Sequence, residues 1–311
     1  MSRAVETAAL VPVQEERWAA AASPPSSFMT ARSHSAPRAE LPTRAADCPA
    51  LPTDFGATLD ALLPSLGLDL APAERTAIEA HVRLLLAWNT AINLTAIRDA
   101  SAVALDHVAD ALTAIPVIRE RLAGGRPTIV DIGSGAGYPG LPIGLSLPAG
   151  RLTLVESIAK KSRFLDTACA AVRDALAMTG RPAPELRVET VRAETLAHDA
   201  VHRGRHDVVT VRAIGSLAEV AELGLPLLRH GGILVAWKRR GHERSDGDGD
   251  ALDVEIADAL PTIDAVGGAM EDELPVAVPG LEDHRLIVVR SMRPSPASYP
   301  RSPTERRRAH R

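Results

Sequence analysis

"TIVDIGSGAGYPGLP" (residues 128–142) is the stretch whose reading decides the fold. A β-branched run stops at an acid, and glycines follow at 133, 135 and 137, so the backbone can turn tightly and a ligand can approach with no Cβ in the way. Strand, glycine turn and helix in this order open a nucleotide-binding α/β sheet, whose ligands sit at the carboxyl ends of the strands. "GAGYPG" (135–140) also fits GxGxxG, the dinucleotide fingerprint, which alone is a weak signal. Asp131 separates the candidate ligands. A dinucleotide brings an anionic pyrophosphate to this turn, where a carboxylate ending the strand repels it. A cationic nucleoside such as S-adenosylmethionine, with its ammonium and sulfonium groups, is attracted instead.

Outward from this turn, short β-branched runs alternate with longer helical stretches. "LTLVES" (152–157), "ELRVET" (185–190), "DVVTVRA" (207–213) and "GGILVAWK" (231–238) lack strict alternation, and helical segments such as 158–178 and 216–229 follow them. That pattern predicts a parallel sheet covered on both faces. "DELPVAV" (272–278) and "HRLIVVR" (284–290) flank a turn with Pro279 and Gly280 and read as a hairpin, which closes the sheet with one antiparallel strand. Upstream, Ile78, Val82, Leu85 and Leu86 share one face of an amphipathic helix that begins near Pro72. A second helix starts after Asp99, a good N-cap, and runs through "SAVALDHVADAL"; a weaker helical segment surrounds Leu59 to Leu66.

Composition bounds the rest. In 311 residues, 46% hydrophobic side chains are enough for a real core. Lys plus Arg number 35 against 39 Asp plus Glu, which excludes a polycation of the histone kind and confines any nucleic-acid contact to a local patch. Cys48 and Cys169 make no disulfide framework and sit in no zinc spacing, so no metal is expected and a reducing cytoplasm fits. No apolar run approaches the roughly 18–20 residues of a membrane span. A monomer that neither crosses nor enters a membrane is expected.

Residues 1–50, rich in Ala, Pro, Ser and Arg, read as a disordered extension, with a start at Met29 as the alternative. Residues 51–122 form a helical region packed on the core, 123–292 the ligand-binding domain, and 293–311 a basic flexible tail. Within the domain, 243–255 reads as an acidic surface loop, because Ala251 and Ala257 stand where a calcium loop needs Gly and Glu. The arginines of the tail are solvated by default, a grip on phosphates being the alternative.

Other candidate site residues follow from the strand ends. Glu156 ends the second strand 23 residues after Gly133, where an acid accepts hydrogen bonds from ribose hydroxyls. Glu194, in "VRAETL", falls at the same edge, either clamping adenine or sitting as an acid in a helix's first turn. Arg212 and Lys238 end runs so apolar that each charge needs a partner. Trp88 and Trp237 are expected in the core.

At this point the chain resembles the RsmG (GidB) family, bacterial methyltransferases of guanine N7 in 16S ribosomal RNA of the small subunit. The resemblance rests on "WNTAINLTAIRD" (88–99), "DHVADAL" (106–112), "VDIGSGAGYPGLPIGL" (130–145), "LVESIAKKSRFL" (154–165), "RAETL" (192–196), "DVVTVRAIGSL" (207–217), "VAWKRRG" (235–241) and "DHRLIVVR" (283–290), in family order across 55–301, with "YPR" (299–301) as a family-like ending. It implies a class I methyltransferase fold: Rossmann-like α/β, a mostly parallel seven-stranded sheet with one antiparallel strand, and an N-terminal helical extension. The implied cofactor is S-adenosylmethionine. The resemblance places Gly133 and Tyr138 in the cofactor loop, where Gly135 is a further candidate from the turn itself, Ala193 and Glu194 at the adenine, and Arg212 at the far wall. It also brings Asn93 and His107 toward the cleft; without it, Asn93 reads as a turn residue and His107 as an ordinary helix residue. Asp106 stands where the family usually has Arg, which puts a phosphate contact there in doubt.

Guanine N7 carries an available lone pair, so attack on a sulfonium methyl needs no general base, and the enzyme mainly orients. Asn93, His107, Arg212 and Lys238 are the orienting candidates. Lys160, Lys161, Arg163, Arg192 and Lys238 would make a positive rim for RNA, although by composition alone a solvated helix start is the stronger reading of Lys160 and Lys161. The competing readings are an NAD-dependent oxidoreductase on the same kind of sheet and a catalytically silent RNA-binding assembly factor.

Overall fold

The apolar runs pair into one seven-stranded sheet, in the order β3-β2-β1-β4-β5-β7-β6. The strands are β1 (Thr128–Ile132), β2 (Arg151–Val155), β3 (Glu185–Glu189), β4 (His206–Arg212), β5 (Leu228–Arg239), β6 (Gly268–Pro275) and β7 (His284–Ser291). Neighbours are parallel from β3 through β5, while β7 runs antiparallel to both β5 and β6. This is the sheet expected for the class I methyltransferase fold. The computed structural model describes residues 40–122, 125–147, 150–241 and 250–309. The expectations for residues 1–39, the start at Met29 and most of the acidic loop (243–249) lie outside the described residues. Leu41–Arg311 forms one compact unit.

Side chains of a strand alternate between faces, so each central strand feeds two cores. Ile129, Leu152, Leu154, Val208 and Val235 pack on one side against the helices Pro72–Trp88, Gly140–Ser146 and Ala159–Met178. Val130, Ile132, Val155, Val209 and Val211 face the other side, against Ala193–His198, Leu217–Gly224 and Ala251–Val266. Each fully buried Leu or Ile contributes about 1.5–3 kcal/mol on such faces. Strand order reverses between β1 and β4, which opens a crevice at their carboxyl ends.

The helical preamble covers the first face. Thr53–Leu62 is the weaker predicted segment, and Pro72–Trp88 buries Ile78, Val82, Leu84 and Leu85; Leu86 is only half-buried. Asp99 caps the next helix by accepting from the Ala102 N–H at 2.9 Å. That helix continues to Leu122 and is long and apolar enough to cross a membrane, an exception to the expectation from sequence. Its apolarity is explained by burial: Val103, Val108, Leu112, Ile115 and Ile118 all lie in the core. A π-helical turn over Ala104–Ala109 interrupts it, a distortion common at functional sites.

Three boundaries differ from the sequence reading. Residues before 51 pack on the core: Trp88 Nε1 donates to the Pro42 carbonyl at 2.7 Å, and Cys48 is buried. Residues 250–255 are not loop but the start of a helix, because Asp250 caps it and Arg240 bonds Asp250, Asp253 and Glu273. The basic tail is docked rather than solvated. Arg301 grips Glu222, whose side chain is fully buried, and residues Pro303–Ala309 form a helix.

Candidate functional site

The glycine turn is built by backbone demands. Gly133, Gly135 and Gly137 have φ of +67°, +55° and +89°, a region that side chains with a Cβ enter at about 1–2 kcal/mol. The turn then consumes its own donors: the N–H groups of Ser134, Gly137 and Tyr138 donate to the carbonyls of Val155, Ser134 and Ser134. Gly135 N–H donates to Glu156 Oε2 at 3.2 Å, and Ile158 N–H to Glu156 Oε1 at 2.8 Å. A pyrophosphate needs these N–H groups free, and it would meet the Glu156 carboxylate in front of them. The dinucleotide reading therefore fails on the loop itself.

Beside this turn lies a cavity of about 360 Å³ at the ends of β1 to β4. Ile132, Gly133, Val155, Val191, Ala193, Ile214 and Leu223 make its apolar walls; Glu156, Glu194, Glu219, Arg192 and Arg306 bring its charges. A flat purine fits between apolar side chains, and a carboxylate has about four lone-pair positions, so Glu156 keeps acceptor capacity for two ribose hydroxyls after its two backbone bonds. The cavity fits an adenosine-bearing cofactor with cationic groups.

Asp131 is placed elsewhere. It was expected to face the cationic ligand, but on β1 it shares the face of Ile129, under the Gly140–Ser146 helix, and is fully buried. Thr210 Oγ1 donates to its Oδ1 at 2.7 Å, and a Cβ at Gly140 would lie 2.8 Å from its Oδ2. Burial pushes its carboxyl up to about 6, against the lowering effect of the Thr210 bond. Asp131 shapes the turn from beneath, and the acids on the cavity wall are Glu156, Glu194 and Glu219.

A second cavity of about 670 Å³ shares the Ile214 and Gly215 wall with the first. Asp106 and His107 reach it from the π-helical turn, Asp110 from the α-helical turn that follows, Arg212 from the end of β4, Trp237 and Lys238 from β5, and His284 from the start of β7. Arg212 Nη1 donates to Asp110 Oδ2 at 2.7 Å and to the Asp106 carbonyl at 2.9 Å, and Nη2 donates to His107 Nδ1 at 3.2 Å. A guanidinium can only donate, so Nδ1 accepts and the His107 proton sits on Nε2, which donates to Thr95 Oγ1 at 2.7 Å. Burial, with Arg212 adding to it, lowers His107 to about 4. Neutral and bonded at both nitrogens, it is an orienting residue and no base.

The remaining expectations divide. Glu156, Gly133, Ala193, Glu194 and Arg192 come together in the first cavity; His107, Arg212 and Lys238 come together in the second. Arg212 is thus on the neighbouring wall, not that of the cofactor cavity. Tyr138 turns inward, 5% exposed, stacked on His107 at 4.7 Å and flanked by His81 at 4.8 Å. Gly135 holds the turn without lining the cavity. Asn93 is exposed and lines neither cavity; Asn89 is the residue that organises this loop, accepting from the Leu94 and Thr95 N–H groups. Lys160 and Arg163 are exposed and Lys161 half-buried at the start of Ala159–Met178, outside both linings. Lys238 Nζ is bonded to Glu255 at 2.6 Å and to the Gly215 carbonyl at 3.0 Å, which ties down a charge expected to face RNA.

Sequence reasoning missed Asp110, His284, His81 and Arg306. Asp110 and His284 carried the signal used for Arg212, a polar side chain set in an apolar run. His81 is fully buried with Nε2 2.7 Å from the Ala136 carbonyl of the glycine turn, an interruption of the apolar face read for its helix.

Gly133→Ala is an informative substitution. The added Cβ would lie 2.3 Å from Ile214 Cδ1 at a φ of +67°, driving Ile214 into the wall between the cavities. Calorimetry is expected to show a loss of about tenfold or more in affinity for S-adenosylhomocysteine. Unchanged affinity would remove this turn from the site.

The family model described as "rRNA small subunit methyltransferase G" matches residues 74–246. The ribosomal RNA small subunit methyltransferase G of Roseiflexus sp. (strain RS-1) is 39% identical over 221 residues, 70% of this chain and 83% of its own. That of Deinococcus radiodurans is 38% identical over 237 residues, 76% of this chain and 85% of its own. Among solved structures, fibrillarin of Aeropyrum pernix, in complex with natively bound S-adenosyl-L-methionine, aligns at a TM-score of 0.38 and 18% identity, over 52% of this chain and 66% of that one. With its family model spanning more than half of its length, the chain belongs to the ribosomal RNA small subunit methyltransferase G family.

Proposed function

We propose that the protein transfers a methyl group from S-adenosylmethionine to N7 of a guanine in 16S ribosomal RNA, with the cofactor in the first cavity and the guanine in the second. The observation that carries this reading is the shared wall of Ile214 and Gly215, which sets an acid-rimmed nucleoside cavity directly beside one furnished with Arg212, His107 and Trp237. S-adenosylmethionine supplies an electrophilic methyl on a sulfonium. Glu156 and Glu194 hold its nucleoside, and Gly133 lets it approach the turn.

On the guanine side the protein's task is orientation, worth on the order of 7–11 kcal/mol at best. Arg212 uses three donors on Asp106, Asp110 and His107, which leaves Nε–H and one Nη2–H to donate to guanine O6 while N7 stays free. Methylation puts positive charge on the purine, and the Asp106 and Asp110 carboxylates on this wall favour it. Arg192 and Arg239 stand exposed on the linings as contacts for phosphates. A ribosomal substrate puts the enzyme in the cytoplasm.

Incubation with methyl-labelled cofactor and small subunits from cells lacking the gene tests the reading. One methyl per RNA is expected, at a guanine whose N7 methylation makes the chain cleavable by borohydride and aniline. Label on protein or on another base refutes it, and cofactor binding without turnover on any ribosomal substrate favours the silent assembly factor.

A further inference from the structure

The C-terminal segment ends on the cofactor cavity. After β7 it runs along the Ala193–His198 helix and is fixed there by side chains of the segment 198–203. Arg203 donates through Nη1 to the Tyr299 carbonyl at 2.8 Å and through Nη2 to the Ser295 and Pro296 carbonyls at 3.0 and 2.8 Å. His198 Nε2 lies 2.9 Å from the Pro300 carbonyl. Arg301 then locks onto Glu222 through its side chain. Ser302 and Glu305 cap the Pro303–Ala309 helix reciprocally, each side chain bonding the other's backbone N–H.

One side chain of this helix turns inward. Arg306 is 7% exposed, donates from Nη1 to the Arg301 carbonyl at 2.9 Å, forms an ion pair through Nη2 with Glu194 Oε1, and lines the cavity. Two residues on, Arg308 is exposed. A guanidinium carried into a cavity wall by a capped and anchored helix is not a solvated tail residue.

We propose that Arg306 is a positioning residue for the cofactor: by holding Glu194 Oε1 it aims Oε2 into the cavity as the acceptor for the exocyclic amino group of adenine. The inference rests on the first cavity being the cofactor site. Glu194 sits among Val191, Ala193 and Leu223, the apolar part of the wall where a purine lies flat, whereas Glu156 at the end of β2 faces the ribose. An adenine at that wall offers its amino group as the donor a carboxylate requires, and a hypoxanthine in its place turns a carbonyl toward the same carboxylate. Without Arg306 the Glu194 side chain is free to rotate into solvent and the discrimination between the two bases disappears.

The test measures calorimetric affinities of full-length protein for S-adenosylhomocysteine and S-inosylhomocysteine. Arg306→Ala is expected to weaken the adenosyl ligand about tenfold and the inosyl ligand less than about twofold, as the loss of one bond to a charged acceptor predicts. Arg306→Lys should recover part of the difference, and Arg308→Ala none of it should be lost in the first place, so both affinities of that variant equal the parent's. Equal losses for the two ligands, or a gain in affinity, would overturn the proposal, and thermal melts of the Lys variant guard against simple unfolding. Failure of the parent protein to bind either ligand would instead bring down the cofactor reading on which the inference rests.

Discussion

Lowering the pH from 6.5 to 4 is expected to remove about 5 kcal/mol of folding stability, because the unfolded chain takes up protons that the folded one refuses. Burial lowers His81, His107 and His206 each to about 4, with Arg212 adding to the effect on His107 and His202 to that on His206. Their contribution is fully present above the unfolded value of about 6.5 and is lost as pH falls toward 4. Asp131 acts with the opposite sign. Its folded value of about 6 lies above its unfolded 3.8, so the folded state holds the extra proton and this group stabilises as pH falls through 6. Three histidines outweigh one aspartate. Near pH 5 the unfolded chain binds about two more protons than the folded one, a slope of roughly 3 kcal/mol per pH unit.

Urea unfolding between pH 4.5 and 7 measures that slope. Asp131→Asn is expected to steepen it by about one proton and His206→Phe to flatten it by about one. A profile flat below pH 6.5 would show that these histidines are not held neutral by the fold.

The sheet was legible because its evidence is local. β1 is found at its expected residues, and the other strands within a few residues of theirs, since runs such as "DVVTV" and "LIVV" admit few alternatives. What escaped was decided at longer range. The Ala251–Val266 helix contains Pro261, a local signal against a helix, and the Arg240 bonds to Asp250, Asp253 and Glu273 that hold its start appear only in three dimensions. The face taken by Asp131 follows from strand alternation, yet which face carries the cavity depends on where the helices pack. The tail's composition suggested solvation; Glu222, fully buried and 79 residues from Arg301, decides otherwise. Residues read from strand ends, such as Glu156 and Arg212, were placed at the correct sheet edge because parallel strands deliver their carboxyl ends there together.

Replacement of Asp110 by Ala should be the most damaging single substitution in the second cavity. Its carboxylate is 1% exposed, accepts from Arg212 through Oδ2 and lies 2.7 Å from His284 Nδ1 through Oδ1, while its carbonyl accepts from Trp237 Nε1 at 3.0 Å. Deleting one partner of a buried pair leaves a charge without compensation, at about 3–5 kcal/mol. Arg212 is 16% exposed at its side chain, so water screens part of that charge and the lower end of the range applies. Melting is expected to fall by roughly 10 °C. Below the melt, Arg212 and His284 are no longer held against the cavity wall, and misplacement of this size lowers methyl transfer by about 100-fold. Asp110 does not line the first cavity, so affinity for S-adenosylhomocysteine should stay within about twofold of the parent's. Asp110→Asn keeps an acceptor for one neighbour and should fall between the two. Because Arg212 and Asp110 act as one unit, the double replacement should be little worse than either single one. Additive losses in that cycle, or cofactor affinity falling in step with transfer, would mean that Asp110 supports the whole fold and does not specifically set the guanidinium over the second cavity.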